Sequence, residues 1–326
     1  MYELVTLIGG GGFVGRYAAQ ALLRGGWRVR VAQRDPRQAF YLKPLGAIGQ
    51  TQFVAADVTR PDTIARAVEG AQAVVNLAGS FGDAMRVQAT GAEVVAQAAA
   101  AAGARALVHL SAIGADPASP SIYGQSKGMG EESVRAAFPN ATILRPSVIF
   151  GREDQFLNRF AEMIRRLPIV PVLRPEAKFQ PVFAGDVGDA IAAAVRDPAR
   201  FGGQVIELGG PDTLSMARLL RWIAAEIGRN PTFVDLPDVA GAALARLGFL
   251  PGAPITRDQW LMLQRDSVVT EGADGLESMG LTATPLGTMA PGWLVRFRRL
   301  GRFARRPDEI VTEAASHPEP HPGLSA

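Results

Sequence analysis

The stretch that most constrains this chain is its start, where a short apolar run, Leu4-Val-Thr-Leu-Ile8, leads straight into Gly9-Gly-Gly-Gly-Phe13-Val14-Gly15. A strand that ends in closely spaced glycines and then opens a helix is suited to holding a pyrophosphate. Gly9 permits a tight turn, Gly12 removes the Cβ that would block a ligand, and Gly15 lets the helix pack close against the strand. The unpaired N–H groups and positive dipole end of that helix, from Phe13 and Val14 onward, then face the phosphates. An amphipathic stretch over residues 17–23, closed by Gly25-Gly26, supplies the helix that such a turn needs.

The chain is long enough for a nucleotide domain with an appendage. It has 326 residues, of which 48% are hydrophobic and 20% charged, the balance of a globular protein. It contains no cysteine, which excludes disulfides, thiol catalysis and cysteine-based metal sites. Three histidines leave little for zinc, so no metal is expected. A formal charge of +3 is too small to argue for nucleic-acid binding. No stretch is long enough to span a membrane, and Met1 sits almost on the first strand, so the chain reads as cytoplasmic.

Further along, strands and helical patterns alternate, the rhythm of βαβ units and a parallel sheet. A second strand over residues 27–33 ends at Arg34, where a site for an unphosphorylated ribose usually carries an acid. A guanidinium suits a 2′-phosphate, so the position leans toward NADP(H) over NAD(H), with Arg37 and Lys43 as second cations. The alternative leaves Arg34 as a solvated strand-end charge and gives the ribose to Asp35. A third strand over residues 52–55 delivers Asp57 and Val58 to the adenine edge, unless Asp57 merely opens the next turn and caps the helix after Pro61. A fourth, over residues 73–77, brings Asn76, Ala78 and Gly79 to the nicotinamide ribose, where small residues let backbone approach a ligand. An alanine-rich helix over residues 85–102 reads as a packing face.

The fifth strand, over residues 106–110, ends at Ser111, and twelve residues later comes Tyr123-Gly-Gln-Ser-Lys127. Tyr123 and Lys127, four apart, share one helix face. An ammonium beneath the phenol favours the phenolate and makes the tyrosine a usable acid or base near neutral pH, while Ser111 hydrogen-bonds the reacting oxygen. Lys127 can equally bind the nicotinamide ribose without any chemistry. A sixth strand, over residues 141–144, ends in Arg145-Pro146-Ser147, placing Pro146 at the nicotinamide end.

From residue 150 the character changes. A helix runs to about Arg166, then Pro168, Pro171, Pro175 and Pro181 punctuate a stretch expected to be loops around a substrate or partner. Residues 181–187 and a strand over residues 205–208 return to the sheet, and helices follow over residues 216–227 and 239–247. Residues 293–306 place Trp293, Phe297 and Leu300 at helical spacing among six arginines, either an amphipathic helix on an anionic membrane surface or against a partner, or a helix packed on its own domain. The expected fold class is α/β, a Rossmann-type doubly wound parallel sheet with a smaller, interleaved C-terminal domain. The dinucleotide-binding domain covers residues 1–150, its sheet completed by parts of 181–210; the substrate or partner domain covers 151–306; 307–326 form a disordered tail.

The spacing of Gly9, Gly12 and Gly15 resembles that of the short-chain dehydrogenase/reductase superfamily. Four stretches narrow the likeness: Gly12-Phe-Val-Gly-Arg-Tyr17; Leu42-Lys-Pro-Leu-Gly46 with Gly49-Gln50; Arg145-Pro-Ser147 with Ile149-Phe-Gly-Arg-Glu-Asp-Gln-Phe-Leu-Asn158; and Ile255-Thr-Arg-Asp258 leading to Gly280-Leu-Thr-Ala-Thr-Pro285. Over about residues 2 to 300 the chain resembles the atypical family that includes the nucleotide-binding accessory subunit of respiratory complex I. That resemblance implies an NADPH held for structure near the quinone-reducing end of NADH:ubiquinone oxidoreductase, with complex I or quinone-biosynthesis proteins as partners and a place at the cytoplasmic face of the inner membrane. Because Ser111, Tyr123 and Lys127 are all present, an independent NADP(H)-dependent oxidoreductase or epimerase acting on a carbonyl or hydroxyl is the alternative.

Overall fold

A computed structural model describes residues 3–248, 255–299 and 301 of the chain. Six strands, β1 (Leu4–Ile8), β2 (Arg28–Gln33), β3 (Thr51–Ala55), β4 (Ala73–Asn76), β5 (Ala106–Leu110) and β6 (Thr142–Pro146), join Val205–Leu208 in one sheet. The spatial order is Val205–Leu208, β6, β5, β4, β1, β2, β3, and every neighbouring pair is parallel. All five residues of β1 are buried, as a central parallel strand covered on both faces requires. Its side chains alternate between two cores: Val5 and Leu7 belong to one, Leu4 and Ile8 to the other.

Helices cover both faces. On the first, α1 (Phe13–Arg24) lies against α6 (Ala184–Arg196), so closely that a Cβ on Gly188 would fall 2.7 Å from the Tyr17 backbone. On the second, α2 (Pro61–Val68), α3 (Gly91–Ala101) and α4 (Ile122–Ala137) pack through Ile64, Ala67, Ala92, Val95, Ala96 and Val134. Alanine at these positions of α3 brings helix axes close, the packing face its composition predicts. The stretch expected as one helix from residue 85 is divided, however. Met85–Thr90 form a π-helical turn, and regular α-helix begins at Gly91.

A further apolar cluster sits beyond β6. It gathers Phe150, Leu157 and Ile164 of α5 (Leu157–Arg166), Val170 and Val172, Leu219, Leu220 and Ile223 of the helix Met216–Glu226, and Trp293, Leu294 and Phe297. Two expectations change here. The proline-punctuated stretch holds a strand, Ile169–Leu173, parallel to Thr232–Leu236, with Pro171 opposite Val234; a two-stranded ribbon leaves proline an open edge. The arginine-rich segment is not one amphipathic helix. Pro291–Leu294 make one turn, Val295–Phe297 a 3-10 turn, and Arg298 is extended, its guanidinium donating to the Glu226 carbonyl at 2.8 Å. Trp293 and Phe297 are buried, so these two rings of the expected lipid-facing side pack inside the protein. Residue 300, residues 302–306 and the expected tail 307–326 lie outside the described residues.

Candidate functional site

In an open parallel sheet, ligands bind outside the carboxyl ends of the strands where the strand order reverses. Here that point lies between β1 and β4. Gly9 ends β1 with φ +77°, a left-handed conformation that disfavours any side chain, and a Cβ there would stand 3.1 Å from the Leu77 carbonyl carbon at the end of β4. The turn closes through Gly9 N–H donating to the Ala32 carbonyl at 2.8 Å and Gly12 N–H to the Gly9 carbonyl at 3.1 Å. Gly12 is the N-cap of α1 and offers no side chain to the first-turn amides, which leaves them for a ligand. A Cβ on Gly12 would meet only the Gly9 carbonyl oxygen at 3.3 Å. Gly15 works differently from expectation: its missing Cβ makes room for the Gly10 carbonyl oxygen, 2.3 Å from where that carbon would be, so the helix sits on the turn rather than on the strand.

Two of the stretches that carry the family likeness meet beside this turn. Arg16 pairs with Glu153 at 2.5 Å, and the Tyr17 hydroxyl donates to the other Glu153 oxygen at 3.0 Å. Burial first, then Glu153, pushes the Tyr17 phenol up to about 12. Phe13 packs edge-to-face on Tyr17, and a Cβ on Gly151 would strike the Phe13 ring at 2.9 Å. Val14 packs against the first core. The Arg16 guanidinium also covers the Tyr41 ring at 4.3 Å, and the Tyr41 hydroxyl donates to the Gly11 carbonyl at 3.0 Å.

At the adenosine end, Arg34 is exposed after β2. Asp35 caps the 3-10 segment Pro36–Leu45, accepting from Arg37 N at 3.1 Å and from Arg37 Nε at 3.0 Å. The Arg37 hydrogen bond holds the Asp35 carboxyl below its ordinary range. Lys43 stands 3.7 Å over the Phe40 ring. Asp57 accepts from both Thr59 N and Thr59 Oγ1 through Oδ1, so it organises its own turn; the Thr59 amide, with Arg34 and Arg86 nearby, lowers its pKa. Val58 is buried against Gly91 of α3.

At the other end, Asn76 is buried. Its Nδ2 meets His109 Nδ1 at 3.1 Å and its Oδ1 accepts from Ala78 N at 3.1 Å, which shapes the turn carrying Ala78 and Gly79. The Pro146 carbonyl accepts from Ile113 N at 3.0 Å. Ser121 caps α4, and Asp258, from a stretch that the sequence marks without a role, caps it again, accepting from Ile122 N at 2.6 Å and Tyr123 N at 3.2 Å. Lys127 is buried, and its ammonium donates to the Leu110 carbonyl at 2.8 Å, 6.0 Å from the Tyr123 ring centre.

The electrostatics depart from the expectation that Lys127 lowers the Tyr123 pKa. Burial raises the phenol to about 12 and brings Lys127 down to about 8, the latter opposed by the Glu131 charge. Ser111 is also otherwise engaged. Its hydroxyl donates to Glu131 Oε1 at 2.5 Å, in a buried network where Glu131 also accepts from Arg145 Nε at 2.8 Å and Nη2 at 2.7 Å. Sequence reasoning missed this network, although Glu131 follows Lys127 by the same four-residue step that joins Lys127 to Tyr123. It also missed Gln88. That side chain is buried in the π-helical turn, donates to the Ser80 carbonyl at 2.9 Å, and leaves its Oε1 without a partner, 3.9 Å from where a Gly79 Cβ would be.

The uncapped amides of α1, the open side of Gly12 and the orphaned Gln88 Oε1 at the far end fit a dinucleotide laid across the strand ends. Among the described residues no cluster suited to a metal ion occurs, and no helix is long and apolar enough to cross a membrane.

Comparison with known proteins agrees with this geometry. Residues 5–209 match the NAD dependent epimerase/dehydratase family. The chain is 33% identical over 293 residues to subunit 9 of the NADH dehydrogenase [ubiquinone] 1 alpha subcomplex of Mus musculus, covering 87% of this chain and 77% of that one. It is 32% identical over 263 residues to a ceramide reductase of Caulobacter vibrioides, covering 77% and 80%. Among solved structures, an NADPH-dependent quinone oxidoreductase of Escherichia coli in complex with NADPH superposes with a TM-score of 0.72 at 18% identity, over 89% of this chain and 99% of that one.

Proposed function

Because the chain belongs to the NAD dependent epimerase/dehydratase family, we propose that it is an NADP(H)-binding protein of the kind that accompanies NADH:ubiquinone oxidoreductase, with the cofactor held for structure. Gly9, Gly12 and the amides opening α1 hold the pyrophosphate, Arg34 the 2′-phosphate, and Ala78, Gly79, Lys127 and Pro146 line the nicotinamide end. The observation that carries a structural role is the Ser111 hydroxyl. Donated to Glu131 at 2.5 Å, it has no proton left to offer a substrate oxygen. The likeness to mitochondrial complex I subunits over most of the chain supports complex I as the partner. A link to quinone biosynthesis and a position on the membrane surface belong to the same reading.

A second reading, an independent NADP(H)-dependent reductase, is favoured by the shared helix face of Tyr123 and Lys127 and by the similarity to a ceramide reductase. When bound, NADP(H) supplies a hydride donor. With its phenol pushed up to about 12, Tyr123 stays protonated at neutral pH and can donate to a carbonyl oxygen, which suits reduction better than oxidation. Detergent-solubilised membranes run on a native gel test the first reading: comigration with NADH dehydrogenase is expected, and migration as a small species would overturn it. Tyr123→Phe separates the two. An accessory protein keeps both NADPH affinity and complex stability, whereas a reductase keeps the affinity and loses about a hundredfold or more in rate.

A further inference from the structure

Tyr123 does not present a bare phenol. The Phe81 ring stacks on it, 4.9 Å between centroids and 18° between planes, yet Phe81 is 73% exposed. An aromatic ring left mostly in water is held by the one face it covers. The loop is tied on either side of Phe81, by the Ser80 carbonyl accepting from Gln88 and Ser80 Oγ accepting from Asp83 N at 3.1 Å. Between those ties lies Gly82, whose Cβ position has nothing within 4 Å. Ile122, next to Tyr123 in the chain, is 56% exposed. The charges close by are engaged inward: Lys127 on the Leu110 carbonyl, Asp258 on the amides of Ile122 and Tyr123.

We infer that Phe81 occupies the place of a flat, uncharged, carbonyl-bearing ring, and that a substrate or ligand of this class stacks on Tyr123 in exchange for it. The inference rests on the proposed cofactor groove beside Tyr123. An open-chain ligand gives no reason for a ring lying nearly parallel to the phenol, because aliphatic contact has no such preference of angle.

The test uses the full chain as wild type and Phe81→Ala, with 9,10-phenanthrenequinone as the flat probe and 2-undecanone as the open-chain one, binding read by intrinsic fluorescence with and without NADPH. If Phe81 competes for the stacking face, Phe81→Ala tightens the flat probe by about threefold to tenfold and leaves 2-undecanone unchanged. An unchanged or weakened flat probe, absence of flat-probe binding in both proteins, or an equal gain for 2-undecanone overturns the inference. So does a gain for NADPH that 2′-phospho-ADP-ribose does not share, since the exchanged ring is then the nicotinamide. If NADPH binds neither protein, the cofactor reading falls, while ring exchange is still read from the measurements without NADPH.

Discussion

Arg34 stands exposed at the end of β2, and the carboxylate next to it, Asp35, is closed on Arg37. On the NADP(H) reading proposed above, the guanidinium at the strand end takes the 2′-phosphate, where a charge-assisted bond contributes about 1.5–3 kcal/mol. Arg34→Ala is therefore expected to lower NADPH affinity by about tenfold or more while leaving NADH affinity within about twofold, as read by fluorescence titration. Equal losses for both cofactors would show that the residue does not discriminate. The sequence names Arg34 because its position relative to the glycines is a matter of counting. It does not show which way Asp35 and Arg37 turn, because a cap forms only once the 3-10 segment after β2 exists to be capped.

At the scale of elements, α4 carries the candidate chemistry and is capped from two stretches of the chain. Ser121 and Asp258 both satisfy its first-turn amides, and Asp258 arrives from 136 residues away. A negative group at a helix N-terminus also meets the positive end of the dipole. Asp258→Ala should cost about 1 kcal/mol of stability and speed amide exchange at Ile122 and Tyr123, with the rest of α4 unchanged. Asp258→Asn, which keeps an acceptor, should recover part of the exchange protection. Uniform protection in all three proteins would mean that the cap does not hold this turn. The likeness to a family marks the Ile255–Asp258 stretch in the sequence, but its purpose becomes visible only when the fold sets it against α4.

For the whole molecule, the sheet buries polar groups whose titration acts on global stability. His109 lies in β5 fully packed, bonded to Asn76, with Nε2 lacking a partner; burial, helped by Lys127, lowers its pKa from 6.5 to about 3. Between those values the unfolded chain binds a proton that the folded chain does not, so this residue makes stability fall as pH drops from about 6.5 toward about 3, with a slope of at most about 1.4 kcal/mol per pH unit. His109→Gln should flatten the dependence in denaturant unfolding measured across that window, and an identical slope in both proteins would show that His109 is not the group responsible. The sequence by itself determined the parallel sheet, the glycine turn and the helix face shared by Tyr123 and Lys127, because each follows from periodicity and spacing along a local stretch of chain. Only the tertiary structure decided that Ser111 serves Glu131, that burial outweighs the lysine at Tyr123, that Trp293 and Phe297 turn inward, and that Phe81 covers the phenol. Each of those depends on which distant groups become neighbours and how much water is excluded between them, and neither quantity is written in the order of residues.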